Sequence, residues 1–134
     1  IETFDDLNFS GYSDVCLEIG FGSGEHITQL ALKNPNTLFI GCEPFINGVA
    51  SLLHKIDTFK ISNIRIYQND ARKLIKEFPN EFLSRVFLLF PDPWPKRKHI
   101  RRRFLQDKTI QEIHNKLKPN GIWKIASDHK EYKA

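Results

Sequence analysis

The hydrophobic positions of this chain fall into short segments of two alternating kinds. Apolar runs bounded by glycine, proline and polar residues predict buried strands, and apolar residues at helical spacing between them predict amphipathic helices. The predicted strands are Val15–Ile19, Thr37–Cys42, Ile64–Gln68, Arg85–Phe90 and Ile122–Ser127. The predicted helices are Glu25–Lys33, Ile46–Phe59, Ala71–Phe78 and about Arg101 to Lys116, with a turn at 118–121.

This order of elements predicts a single α/β domain over the 134 residues. Repeated strand–helix units imply a mostly parallel sheet with helices on both faces and right-handed crossovers. Helical spacing predicts that the second helix buries Ile46, Val49, Ala50, Leu53 and Ile56. The last helix is expected to bury Phe104, Leu105, Ile110, Ile113 and Leu117.

An acidic residue stands at the end of every predicted strand. The carboxyl ends of parallel strands meet at one edge of the sheet, where such folds bind ligands. We therefore expect five carboxylates to converge there, namely Glu18, Glu43, Asp70, Asp92 and Asp128. Taken singly, each could be an exposed strand-end carboxylate, and Asp70 is equally a candidate N-cap of the helix that follows it.

The first strand ends in a glycine-rich turn formed by Gly20, Gly22 and Gly24. Such a turn lets the backbone approach a ligand closely at the start of a helix. Glu18 and Glu25 flank it, and their charges would repel a pyrophosphate. A nucleoside with a positive centre and no phosphate fits better, with Glu43 at the distance expected for a ribose-binding carboxylate. S-adenosyl-L-methionine is such a ligand.

The positive charge of the chain is concentrated in one segment. The formal net charge is +4, from 20 Lys and Arg against 16 Asp and Glu. Six of those cations lie within 96–103, so 14 remain against the 16 acids and the rest of the chain is slightly acidic. These cations come at the start of a predicted helix, where the dipole disfavours them. Together with Asp92, held between Pro91 and Pro93, they indicate chemistry on a nucleic acid, and a solvated loop is the alternative.

Three segments carry a resemblance to known enzymes. The segment 17–24, LEIGFGSG, resembles the cofactor loop of class I S-adenosylmethionine-dependent methyltransferases. The segment 90–96, FPDPWPK, followed by His99 and Arg102-Arg103, closely resembles the signature of tRNA (guanine-N7-)-methyltransferases. Ser127-Asp128 with Tyr132 resembles a later segment of that family, so the likeness runs from about Val15 to the end of the chain.

The resemblance implies a Rossmann-like class I methyltransferase sheet, with residues 1–134 as a partial domain that lacks the C-terminal strands and a further substrate segment. It implies methyl transfer to N7 of guanine at tRNA position 46, in the variable loop. Cofactor contacts are expected from Glu18, Gly20, Gly22, Gly24, Glu43, Asp70 and Asp92. Substrate and RNA contacts are expected from Lys96, Lys98, His99, Arg101, Arg102, Arg103 and Asp128.

The chemistry of guanine N7 assigns a role to Asp92. N7 carries a lone pair and no proton, so no general base is required, and catalysis rests on positioning and electrostatics. A carboxylate can accept hydrogen bonds from guanine N1–H and the N2 amino group, which identify the base. We therefore predict that Asp92 is the catalytic residue, acting by orientation and not as a nucleophile.

Other functions remain open at this point. The alternatives are a non-catalytic RNA-binding module on the same fold, and a methyltransferase acting on an amine of another RNA or protein. A phosphate-binding dinucleotide enzyme fits the acidic loop poorly. A homodimer and an accessory subunit are both open.

The sequence also gives expectations about metals, cysteines and location. Histidines are scattered and predict no metal site, and Cys16 and Cys42 are expected to be buried thiols and not a disulfide. No apolar run is long enough for a membrane span and no signal-peptide pattern is present. We expect a cytoplasmic protein, with nucleus or organelle as alternatives.

Overall fold

The strands form one sheet in which all neighbouring strands are parallel. The computed structural model of the chain describes residues 1–89 and 106–126. The order in the sheet is β3-β2-β1-β4-β5, and every pair of neighbours is parallel. The strands are β1 (Asp14–Ile19), β2 (Thr37–Cys42), β3 (Ile64–Tyr67), β4 (Leu83–Leu89) and β5 (Leu117–Ala126). This confirms the predicted parallel α/β sheet.

Four α-helices connect the strands in the described part of the chain, after a short 3-10 helix at Phe4–Asp6. They are α1 (Glu25–Lys33), α2 (Ile46–Phe59), α3 (Ala71–Ile75) and α4 (Asp107–Lys116). The bounds of α1, β2 and α2 agree with the sequence prediction. Asn34 ends α1, where its side-chain amide donates to the Leu30 carbonyl over 2.8 Å.

Each face of the sheet carries its own hydrophobic cluster. On one face, α1 and α2 contribute Ile27, Ala31, Val49 and Leu52, all buried, to a cluster with Phe39 of β2. On the other face, the cluster contains residues from α3 and α4, among them Ala71, Leu74, Ile75 and Ile113. The sheet is therefore covered on both sides, and β1 and β2 are buried along nearly their whole length.

Two predicted elements differ in length from the observed ones. The helix predicted to reach Phe78 ends at Ile75, where the backbone N–H groups of Glu77 and Phe78 donate three residues back, to Leu74 and Ile75, instead of four. The predicted turn at 118–121 lies inside β5. There the pairing shifts from Leu83 with Leu117 to Arg85 with Ile122. An advance of five residues along β5 therefore corresponds to an advance of two residues along β4. The turn sequence thus forms a bulge, with Asn120 at φ +70°.

Helix α4 begins later than predicted. The backbone of Gln106 is extended, with φ −79° and ψ 145°, so the helix starts at Asp107 and does not continue from the region of Arg101. The basic segment 96–103 therefore precedes α4 in the sequence, and its cations are not part of the first turn of this helix. Ile113 is fully buried as expected, but Ile110 is 38% exposed, which contradicts its predicted burial.

The buried face of α2 is only partly the predicted one: Val49 is buried and Ile56 is partly buried as expected, whereas Ala50 is exposed. Ile46 and Leu53 are 63% and 54% exposed, whereas Val49 and Leu52 are buried. Leu52 packs against the glycine-rich turn, since a Cβ placed on Gly24 would come within 2.8 Å of Leu52 Cδ1. The helix is turned toward this glycine, which the spacing of apolar residues could not indicate. In the described part of the chain, no helix has the length and apolar character that a membrane span requires.

Two adjacent leucines test this orientation of α2. Leu52→Ala should lower the free energy of unfolding by about 2–5 kcal/mol, because it opens a cavity in the core. Leu53→Ala is the matched control and should change it by about 0.5 kcal/mol or less. Urea denaturation of both variants measures the difference. Equal losses in both variants would contradict the observed helix face.

Candidate functional site

The glycine-rich turn after β1 depends on backbone angles that favour glycine. Gly20, Gly22 and Gly24 have φ values of +70°, +63° and +89°. Side chains rarely adopt such angles, so three of them within five residues require this composition. Gly24 is the N-cap of α1, and its carbonyl accepts from the backbone N–H of Thr28. The turn therefore lies at the carboxyl edge of the sheet, where α1 begins.

Glu43 holds this glycine turn in place. It directly follows β2 and is fully buried. Its Oε1 accepts from the backbone N–H of Gly22 over 2.9 Å, and its Oε2 accepts from that of Phe45 over 3.2 Å. Phe45 is the N-cap residue of α2, so one carboxylate connects the turn after β1 with the start of α2.

The first turns of α2 complete the support of the loop. A Cβ on Gly48 would come within 2.3 Å of the Gly22 carbonyl oxygen, so only glycine allows this close approach. The Ser51 hydroxyl and the Lys55 ammonium both donate to the Ser23 carbonyl, over 2.9 and 3.2 Å. The glycine turn is thereby fixed from both its β2 and its α2 sides.

Glu18 is a buried carboxylate near the end of β1. Its side chain is 1% exposed, and its Oε1 contacts Nδ1 of His26 in the first turn of α1. Its Oε2 is buried and has no hydrogen-bond partner among the described residues. Burial raises the pKa of Glu18 above its ordinary value, and the contact with His26 opposes that shift. A buried carboxylate with one oxygen unpaired is costly, and it lies where a ligand would be expected.

Asp70 follows β3 at the same edge and caps α3. Its Oδ1 accepts from the backbone N–H of Arg72 over 3.0 Å, which confirms the N-cap interpretation. The Arg72 guanidinium also contacts the carboxylate, with an Nη2–Oδ2 distance of 2.6 Å. The structure thus brings Glu18, Glu43 and Asp70 to one edge of the sheet.

A groove beside Asp70 separates α3 from α4. Its volume is about 410 Å³, and its lining includes Lys73 of α3, Lys76 directly after that helix and Lys108 of α4. No carboxylate of the described residues lies within 4 Å of these three ammonium groups, although Glu112 also lines the groove. The groove is therefore a positively charged concave surface that begins at the carboxyl edge.

The remaining predicted site residues lie outside the described part of the chain. They are Asp92, Lys96, Lys98, His99, Arg101, Arg102, Arg103 and Asp128. Cys16 and Cys42 are buried and unbridged, as predicted. Within residues 1–89 and 106–126, no group of three His, Cys, Asp or Glu side chains could hold a metal ion.

Sequence reasoning missed two residues of the site. It gave no role to His26, although the separation of eight residues from Glu18 spans one tight turn and the start of a helix. It also overlooked Gly48, whose position two residues into α2 signals a close backbone contact.

The fold and the glycine turn define the class of protein. A parallel α/β sheet with such a turn after its first strand, and acids at its carboxyl edge, is typical of Rossmann-like enzymes that bind a nucleoside cofactor. A family model described as "Putative methyltransferase" matches residues 13–134, and the chain belongs to this methyltransferase family.

Curated relatives agree with this assignment, and a solved structure shares the fold. The chain is 43% identical over 122 residues to a tRNA (guanine-N(7)-)-methyltransferase of Jannaschia sp. (strain CCS1), covering 91% of this chain and 52% of the relative. It is 48% identical over 116 residues to a protein of the same name from Nitrobacter hamburgensis, covering 87% and 46%. The chain spans about half the length of these curated relatives. The crystal structure of the 16S rRNA methyltransferase KamB has the same fold, with a TM-score of 0.65, 18% identity, and coverage of 92% and 56%.

Removing the charge of Glu18 should stabilise the protein at neutral pH. In the folded state the carboxyl has a raised pKa, so folded molecules hold its proton to higher pH than unfolded ones, whose value is near 4.5. Stability therefore falls as the pH rises through this window. Glu18→Gln has no such charge to bury. We therefore expect its free energy of unfolding to exceed that of the wild type by about 1 kcal/mol at neutral pH, and this difference should become smaller toward pH 4.5.

Urea unfolding at several pH values measures this gain. Glu25→Gln is the matched control, because Glu25 is exposed at the start of the same helix, and its stability should change by about 0.5 kcal/mol or less. A Glu18→Gln protein that is less stable than wild type at every pH would contradict the argument.

Proposed function

We propose that the protein is a tRNA (guanine-N7-)-methyltransferase that uses S-adenosyl-L-methionine as its methyl donor. The observation that carries the proposal is the glycine turn between two buried carboxylates, Glu18 and Glu43, at the carboxyl edge of a methyltransferase-family sheet. The names of the curated relatives support tRNA as the substrate class. A cytoplasmic location is part of the proposal.

The described residues fit a cationic nucleoside cofactor. The buried Oε2 of Glu18 has no partner among them, and an acid at this position favours a ligand with a positive group. Glu25 in the first turn of α1 would oppose a phosphate at the same place. Glu18, Gly20, Gly22 and Gly24, with Glu43 and Asp70, would hold the cofactor. When bound, it supplies a methyl group activated by a sulfonium.

The protein contributes position and electrostatics to the transfer. In the proposal, Asp92 accepts from guanine N1–H and the N2 amino group and so presents N7 to the methyl group. The methylated base is cationic, and carboxylates at the edge of the sheet would stabilise the developing charge. The glycine turn cannot shift easily, because Glu43 and Gly48 hold Gly22 from two sides. The cofactor loop is thus preorganised.

The groove between α3 and α4 is a second surface suited to tRNA. Lys73, Lys76 and Lys108 face a concavity that begins at Asp70, next to the proposed methyl-transfer site. A lysine in the first turn of a helix, as at Lys108, is disfavoured by the dipole, and an anionic partner would offset this cost. We infer that this groove carries RNA phosphates, in addition to the predicted contacts of Lys98, His99 and Arg101 to Arg103.

Methyl transfer to unmodified tRNA tests the main proposal. The full-length protein should transfer label from S-adenosyl-L-methionine to a tRNA transcript, and borohydride with aniline should then cleave the RNA at the variable-loop guanine. Asp92→Asn should lower the transfer rate about 100-fold or more, because it loses a charged acceptor that orients the base. Binding of the cofactor to the variant is the control for folding.

Each other outcome of this assay selects a different function. Transfer of label without cleavage at N7-methylguanosine would mean a methyltransferase with another target atom. Tight tRNA binding without any transfer would favour the RNA-binding module. Normal transfer by Asp92→Asn would show that the proposed role of Asp92 is wrong.

Salt dependence of tRNA binding tests the groove. Lys73→Gln combined with Lys108→Gln should weaken binding and lower the slope of log affinity against log salt by about 2, one for each lost phosphate contact. Lys33→Gln is the matched control, because Lys33 is exposed at the end of α1, on the opposite face of the sheet, and should leave the slope unchanged. An unchanged slope in the double variant would place the RNA elsewhere.

A further inference from the structure

We propose that His26 is the positioning residue for Glu18: its Nδ1–H holds the buried carboxylate in the ionised form and leaves Oε2 available for the positively charged amino group of the cofactor. This inference rests on the proposed function, because it assumes that Glu18 contacts the cofactor. It adds a residue that neither the motif nor the glycine turn identifies. His26 is thus proposed to act through Glu18, without itself touching the reacting atoms.

The surroundings of Glu18 explain why it needs such a partner. Glu18 is opposite Gly41 on β2 and Phe87 on β4, so its side chain emerges between a residue without a side chain and an aromatic ring. Both Phe87 and Phe21, which packs over Gly41, are buried. An ionised carboxylate in this setting has lost its water, and a hydrogen-bond donor must replace part of it.

His26 is held in a position to be that donor. It occupies the first turn of α1, directly after the N-cap Gly24 and Glu25. Its ring meets the ring of Phe87 edge-on, with centroids 5.2 Å apart and an interplanar angle of 71°. Nδ1 faces Glu18 Oε1. Since an ionised carboxylate only accepts hydrogen bonds, Nδ1 must carry the proton in this pair.

The incomplete pairing distinguishes this arrangement from an ordinary structural hydrogen bond. A carboxylate retained only for stability would be expected to have both oxygens satisfied. Here Oε1 is paired with His26, and Oε2 is buried without a partner among the described residues. The pair lies at the strand-order switch between β1 and β4, the place where such sheets bind ligands. The unpaired oxygen therefore suits an amino group that the ligand brings.

Two ligands separate positioning from mere structural support. S-adenosylhomocysteine carries the amino group, whereas 5′-methylthioadenosine keeps the nucleoside and lacks the amino-acid part. His26→Phe keeps a ring beside Phe87 but loses the N–H donor. We expect it to weaken binding of S-adenosylhomocysteine about tenfold or more, the effect of losing a charge-assisted hydrogen bond. Binding of 5′-methylthioadenosine should change less than about twofold.

Two further variants complete the test, which is made by calorimetry on the full-length protein. His26→Asn places an amide donor near the position of Nδ1 and should restore most of the lost affinity. In a Glu18→Gln background, His26→Phe should have no further effect, because the two residues act as a unit.

The outcomes that overturn the inference differ from those that overturn the proposed function. Equal losses for both ligands would mean that His26 only supports the loop. Unchanged binding in His26→Phe, or no rescue by His26→Asn, would show that Glu18 does not need this donor. A wild-type protein that binds neither ligand would refute the proposed cofactor, and with it the inference.

Discussion

The buried carboxylate of Glu43 is the interaction on which the rest of the site depends. It accepts backbone N–H groups from both Gly22 and Phe45, so a single side chain fixes the turn after β1 relative to the start of α2. Gly48 can then approach the Gly22 carbonyl closely enough to exclude any side chain. Because these contacts are to backbone groups, they set the shape of the turn whichever residues occupy its exposed positions. A loop built in this way offers a ligand a rigid surface.

The structural role of Glu43 in the loop must be combined with its expected contact to a ligand. The motif suggests a carboxylate that binds the ribose, whereas the structure gives it a backbone-binding task. The two tasks are compatible, because each carboxylate oxygen has two lone pairs and can accept a second hydrogen bond. Substitution of Glu43 would therefore disturb the loop and the ligand contact together. Loss of binding in such a variant would therefore report the shape of the loop as well as the direct contact.

The sequence predicted the elements that local chemistry determines, and it failed where tertiary contacts decide. The bounds of α1 and α2 followed from glycine, proline and apolar spacing, and so did the parallel sheet. The rotation of α2 did not follow, because Leu52 is drawn inward by the absence of a side chain at Gly24. The bulge in β5 was not predicted from the sequence, for a related reason. Asn120 and Gly121 signal a turn locally, but pairing with β4 keeps the segment inside the strand.

The same distinction applies to the candidate site. The sequence shows which residue types stand at the strand ends, but their burial and hydrogen-bond partners are visible only in the fold. Acids at strand ends were visible as a pattern, and three of them do converge at one edge. Whether an acid there is solvated, capped or buried depends on its neighbours. Asp70 is paired with the start of α3 and with Arg72, while Glu18 is buried opposite Phe87 and forms a hydrogen bond only with His26 among the described residues. The free-energy cost of burying the Glu18 carboxylate is not fully offset by contacts with the described residues, since Oε2 has no hydrogen-bond partner among them. A carboxylate that makes the fold less stable and the edge of the sheet more negative is best explained by a positively charged ligand, which recovers the cost only when it binds.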